Sequence, residues 1–183
     1  MLSDILLNSM PRYEAIIPST KKSVSYRPFL VRDEKTLLTA LETSESDKDM
    51  ILTLSNLIVN CFTGIDNVSE LHMSDLEYLL LQLRSKSIGE VVEFSIVGDN
   101  EEFSKKRGGG IFCEQIEIVG EFGDKQIDLK ENLSVTFRYP RVKDLLEEKK
   151  STNETDNYIE LISKCLLEIE TPEEKINASL YSN

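Results

Sequence analysis

Few side chains in this chain are equipped for chemistry, and the first is His72, the sole histidine among 183 residues. A Ser/His/Asp or Cys/His mechanism would have to be built on it alone, with a nucleophile and an orienting acid close by. It stands between Leu71 and Met73 beside the start of a helical pattern, and no motif around a serine or cysteine supplies the nucleophile. A structural or surface role is the expectation. Cys61, Cys113 and Cys165 are an odd number with no CxxC pair, which suggests neither a disulfide framework nor a tetrahedral metal site. They are evenly spaced, yet the flanks NCF, FCE and KCL share nothing, so the spacing is not taken as an internal repeat. Cys61 and Cys165 fall on apolar helix faces, where a small buried thiol is expected. Carboxylate pairs such as Asp75 with Glu77, or Glu173 with Glu174, follow from the abundance of acids. Lys105, Lys106, Arg107 and the glycines behind them could suggest phosphate binding. A P-loop needs Gly-Lys-Ser/Thr opening a helix, whereas Gly110 leads into Ile111, Phe112 and a strand pattern, so a flexible loop tip is expected. These residues predict no catalytic, cofactor or metal site.

Polar residues in apolar surroundings are the remaining candidates, here for partner binding. Arg84 and Lys86 close an apolar helix in LRSKSIGE, where cations suit the C-terminal dipole and can donate to the last carbonyls. Arg138 interrupts a strand in SVTFRYPRV with Tyr139 behind it, and Arg27 stands likewise in SYRPF. Arg and Tyr are enriched at binding hot spots, although either arginine can instead pair with a carboxylate of its own chain.

The elements that must position these residues follow from periodicity. Apolar residues are 40% and charged residues 30% of the chain, which describes a soluble globular protein of one domain, residues 1–183. No apolar run approaches the ~20 residues of a membrane span, and the start MLSDILLNSMPRYE lacks the basic region and long apolar run of a signal peptide. A net charge of −12 argues against electrostatic binding of nucleic acid, which needs clustered Lys and Arg. Residues 1–30, with Pro11, Pro18 and Pro28, read as an extended arm, residues 1–10 being a short apolar helix or a frayed end.

Residues 31–88 read as a three-helix unit. The first helix runs from about Asp33 to Thr43 with Leu37, Leu38 and Leu41 inward, and the second from about Asp47 to Phe62, ended by Gly64. The third carries Leu76, Leu79, Leu80 and Leu83 on one stripe, with Ser74 and Glu77 at capping-box spacing and Gly89 as its stop. Leu52, Val59 and Leu81 lie off the stripes as candidates for a docking surface. Residues 89–139 read as a small antiparallel sheet, with strands at about Glu90–Val97, Phe112–Val119, Lys125–Asp128 and Ser134–Tyr139. Residues 140–183 read as helical, with RVKDLLEEKK and Asp156–Glu170 as helices and no firm pattern beyond Glu170. The fold class expected is α+β.

Four motifs in order carry a resemblance: PRYEAIIPSTKKSVSYRPF from Pro11 to Phe29, then DEKTLLTALE, then DLEYLLLQLRSKSIGEVVEF, then FRYPRVKDLL. Over about residues 11–170 the chain resembles the baseplate hub protein family of T4-like contractile-tailed phages. The resemblance implies a non-enzymatic protein made in the host cytoplasm that helps build the hub of the tail baseplate, as a subunit kept in the virion or as a chaperone-like assembly factor. Its implied partners are other hub or tape-measure proteins, in an oligomeric state the sequence does not fix. Some relatives carry cysteine pairs in the hairpin equivalent to residues 98–113, suggestive of a zinc knuckle. This chain has only Cys113 there, so zinc is not carried over. Relatives also continue with helical sequence beyond the equivalent of Asn183, which marks a short member or a truncated form. The rival expectation is an acidic regulatory protein directed at a host factor, against which the even spread of charge counts.

Overall fold

The computed structural model describes residues 9–44, 46–96, 107–130, 132–147 and 153–178. It opens with a hairpin, β1 (Tyr13–Ile16) and β2 (Ser23–Tyr26), in which Tyr13 pairs with Tyr26 and Ala15 with Val24. Strand alternation turns Ala15, Val24 and Tyr26 to one face, and all three are buried. The N-terminal segment is thus extended as expected, but it lies in the core. Helices α1 (Val31–Thr43) and α2 (Asp47–Cys61) follow, the second capped by Ser46, whose hydroxyl oxygen accepts from the Asp49 N–H. Helix α2 runs straight into β3 (Phe62–Thr63), which pairs with β2. Gly64, at φ +95°, turns the chain away from that strand in a conformation that other residues adopt only with strain.

Helix α3 (Met73–Ser87) lies across this assembly. Its Leu76, Leu79 and Leu83 are fully buried in one cluster with Tyr26, Leu57 and Ile58. The Tyr26 hydroxyl donates to the Gln82 carbonyl at 3.4 Å, and the Phe29 N–H donates to the Ser87 hydroxyl at 2.9 Å. The predicted stripe is therefore the packed stripe. Its cap is different. The N-cap is His72, whose N–H donates to Asp75 at 3.3 Å, in place of the expected Ser74 and Glu77. Asp75 is the acid selected because it also accepts from the Ser19 N–H and hydroxyl, tying the β1–β2 turn to the start of α3.

A two-stranded ribbon, β4 (Val91–Ile96) and β5 (Arg107–Phe112), comes next. The glycines read as a loop tip are strand residues, and the expected strand at Phe112–Val119 is displaced to them. The reason is steric. Phe94 faces Gly109, where a Cβ would sit 2.8 Å from the ring. Of the polar loop expected over residues 98–110, residues 98–106 lie outside the described residues.

The last part repeats the first. Hairpin β6 (Lys125–Lys130) and β7 (Leu133–Phe137) leads into α4 (Val142–Leu146) and α5 (Glu154–Cys165), which runs straight into β8 (Leu166–Glu170). Strand β8 pairs with β7 as β3 pairs with β2, and β9 (Lys175–Asn177) extends the sheet. The registers correspond: Lys125 pairs with Phe137, Ile127 with Val135 and Phe137 with Leu166, matching Tyr13 with Tyr26, Ala15 with Val24 and Tyr26 with Phe62. The sequences correspond as well, SVSYRPFLVRD at residues 23–33 and SVTFRYPRVKD at residues 134–144. An internal repeat is therefore present, though the cysteine spacing did not mark it.

The class is α+β, with three separate antiparallel sheets among the described residues in place of one. Residues 140–183 are not simply helical. The helix expected over Asp156–Glu170 stops at Cys165, because Leu166–Glu170 is taken up by β7, and residues read as patternless form β9. The expected helix at residues 141–150 is described only as α4, and the possible short helix at residues 1–10 falls largely outside the described residues. In α1 the inward positions are Asp33, Leu37 and Ala40, while Leu38 and Leu41 are exposed. Leu79→Ala should cost about 2–5 kcal/mol in denaturant unfolding, because the cavity forms where α3 meets both the hairpin and α2.

Candidate functional site

The two strand-to-helix junctions share one arrangement of charge. In the first, Arg27 follows β2 and Asp33 sits in the first turn of α1. The Arg27 Nη1 donates to Asp33 Oδ2 at 2.8 Å and to the Pro28 carbonyl at 2.9 Å, and Nη2 donates to the Asn60 carbonyl at 3.0 Å. Asp33 Oδ2 also accepts from the N–H of Leu30, the N-cap, at 2.9 Å. In the second, Arg138 follows β7 and donates to Asp144 at 2.6 and 2.9 Å, to the Tyr139 carbonyl at 3.2 Å and to the Lys164 carbonyl at 2.8 Å. Asp144 Oδ2 accepts from the N–H of Arg141, the N-cap, at 2.7 Å. Backbone bonds complete the match, the Arg27 N–H donating to the Cys61 carbonyl and the Arg138 N–H to the Cys165 carbonyl. Each clamp thus fastens a strand end, a helix start and the end of the next long helix.

Burial and charge act on these groups in opposition. Burial alone would raise the Asp144 pKa, but the hydrogen bonds from Arg138 and from the Arg141 N–H, with the charge of Arg138 beside them, hold it below its ordinary value. The Arg138 pKa is pushed up, chiefly by its hydrogen bond to Asp144. Burial also pushes the neighbouring Cys61 thiol up to about 11 and raises that of Cys165. Both are therefore protonated at neutral pH and poor nucleophiles.

The partner-binding candidates do not converge on one place. Arg27 lies at the first junction, Arg138 and Tyr139 at the second, and Arg84 and Lys86 in the last turn of α3. Arg84 donates to the Gly89 carbonyl at 3.1 Å, just past its helix. Lys86 bonds to Glu90 at 2.6 Å and Glu114 at 3.0 Å, which together push its pKa up, and it lies 5.7 Å over the Tyr13 ring. Tyr139 donates to the Glu121 carbonyl at 3.3 Å, and its ring packs near His72 and Phe122 at 5.9 and 6.3 Å between centroids. Leu52 and Val59 are exposed on α2, and Leu81 is half-buried on α3.

Beside the second clamp lies a feature that periodicity did not reveal, an apolar groove of about 430 Å³ between the β6–β7 hairpin and α5. Ile127, Phe137, Tyr139, Leu161, Ile162 and Cys165 line it. The signal for it was in the sequence, as the repeated SV, Tyr/Phe, Arg, Val and Asp of the two junctions.

An α+β body with its charged junctions fastened internally and apolar side chains left at its surface is suited to contacts with other proteins. The family model described as T4 bacteriophage base plate protein matches residues 10–183, so the chain belongs to that family. No curated protein and no solved structure matches it. Membership implies a structural protein of the phage tail that acts through contacts with other tail proteins. Among the described residues no helix is long and apolar enough to cross a membrane.

The clamps should be worth most to stability. Arg138→Ala leaves the buried Asp144 carboxylate without its cation, and Arg27→Ala leaves Asp33 only the exposed Arg32 at 3.7 Å; each should lower unfolding free energy by about 3–5 kcal/mol in urea titration. The acid side carries a sign. A depressed folded-state pKa means that the Asp144 contribution is present above the unfolded value of about 3.9 and is lost as pH falls through the lower folded value. Stability measured from pH 5 downward should therefore fall less steeply in Asp144→Asn than in the parent, although the variant starts lower.

Proposed function

We propose that this chain is a component of the baseplate hub, either a subunit of the hub or a chaperone-like factor in its assembly, and that it works by protein contacts alone, without catalysing a reaction. Hub or tape-measure proteins of the same phage are its partners, met in the host cytoplasm while the tail is built. Family membership supports a place in the base plate, and the sequence resemblance described above supports the hub within it. The observation that carries the contact role is the exposure of large apolar side chains on a braced acidic body. Leu38 and Leu41 on α1 and Leu52 and Val59 on α2 are all at least half exposed, which serves burial against another protein better than solubility. Arg27, Asp33, Arg138 and Asp144, the most buried of the ion-paired groups among the described residues, are meanwhile committed to fastening the fold.

Co-expression with each hub and tape-measure protein, followed by affinity purification, tests this reading. At least one should be retained stoichiometrically, and retention should persist in high salt, because apolar contacts are not screened. Retention of a different base plate component alone would contradict the hub placement. Mass spectrometry of purified virions separates the two forms of the proposal: a subunit is present in the particle, and an assembly factor is absent.

A further inference from the structure

The repeat is complete in its strands, clamps and long helices, but only its first copy is roofed by α3. We infer that the groove on the second copy seats an amphipathic α-helix of another tail protein, laid on α5 and the β6–β7 hairpin as α3 lies on α2 and the β1–β2 hairpin. This placement rests on the chain being a tail component that works by contacts, and it specifies where and with what.

Equivalent positions make the comparison direct. Tyr26, Leu57 and Ile58 lie beneath α3 at 1%, 6% and 0% exposure. Their counterparts by register and by distance from the matching cysteine are Phe137, Leu161 and Ile162, which line the groove, Ile162 at 55% exposure. Ala15, at 7%, corresponds to Ile127, at 48%. The same apolar surface is thus built twice and covered once. Tyr158 and Ile159, on the same helix, are exposed as well.

The first copy also describes the missing element. Helix α3 presents Leu76, Leu79 and Leu83, an i, i+3, i+7 stripe over 15 residues, which is the spacing by which helices dock in apolar grooves. Its last turn lies at Tyr13 and Phe29, through Lys86 and Ser87. The matching positions are Lys125 and Pro140, so the incoming helix should end near Lys125, whose ammonium suits a helix C-terminus. Within residues 1–183, every stretch outside the described residues is shorter than α3, the longest being 97–106. The α3 of a second copy is a poor source also, because its leucines are fully buried in its own first repeat.

The test uses the full chain co-expressed with each hub and tape-measure protein of its phage, comparing Ile162→Glu with Val119→Glu, an exposed apolar site between β5 and β6. Thermal melts check that both variants keep the parent's fold. Binding to a tail protein should weaken roughly tenfold or more in Ile162→Glu and remain near the parent level in Val119→Glu. A photo-crosslinking benzoylphenylalanine at position 162 of the otherwise unaltered chain should join a leucine-rich helical segment of that partner, which keeps the test decisive even if the glutamate variant melts early. Undiminished binding by Ile162→Glu, or a crosslink to a second copy of this chain, would overturn the groove assignment and leave the contact role intact. Failure of the unaltered chain to retain any tail protein would overturn both.

Discussion

A guanidinium at the end of a strand, set against a carboxylate in the first turn of the following helix, is the constraint on which this fold depends. Arg27 with Asp33, and Arg138 with Asp144, each gather the N-cap N–H, a carbonyl of the junction and a carbonyl near the end of the next long helix around one ion pair. Such a pair is costly to bury, and it is tolerated because nearly every donor and acceptor around it is used. What it supplies is geometry. Strand, helix start and helix end are held at one point, so the hairpin and the long helix must share a face. Asp75 does related work with a neutral partner, joining His72 to Ser19.

That constraint explains where the sequence misled. In α1 the leucines suggest a face built on Leu37, Leu38 and Leu41, but the clamp turns Asp33 inward and rotates Leu38 and Leu41 into solvent. Ile162, Cys165, Leu166 and Ile169 keep a helical rhythm past the true end of α5. The Arg138 guanidinium donates to the Lys164 carbonyl and its backbone N–H to the Cys165 carbonyl, and the chain beyond is recruited as a strand by β7. Tertiary pairing overrides local period there. Where the pattern met no such competitor it was sufficient: the α3 stripe, the apolar helix face that holds Cys61, and strands β4 and β7 all lie close to where periodicity puts them. The candidate site was legible only in pieces. Both arginines were visible as exceptions in apolar segments, whereas their aspartates, six residues on in each case, were hidden among many acids. Cysteine spacing does not mark the repeat because the helical segment between clamp and cysteine is shorter in the second copy, so cysteine spacing and arginine spacing disagree.

A fold made twice from one plan but finished once has a physical consequence. Apolar surface that is interior in the first copy is left at the boundary of the second, at Ile127, Tyr158 and Ile162. Burying it releases the free energy that assembly requires, and the acidic remainder of the surface keeps the free chain from satisfying that surface indiscriminately. Membership of a base plate family gives such a surface an evident use, since a tail is built by successive protein contacts. The clamps keep the surface preformed, which lowers the ordering cost of docking.

Native-state hydrogen exchange on the free chain tests this account most directly, by comparing the amides of Leu57–Cys61 with those of Leu161–Cys165. The account predicts that the first set exchanges only through global unfolding, while the second, lacking a covering helix, opens at clearly lower free energy. Equal protection of the two sets would contradict it, because the second copy would then be as fully covered in isolation as the first.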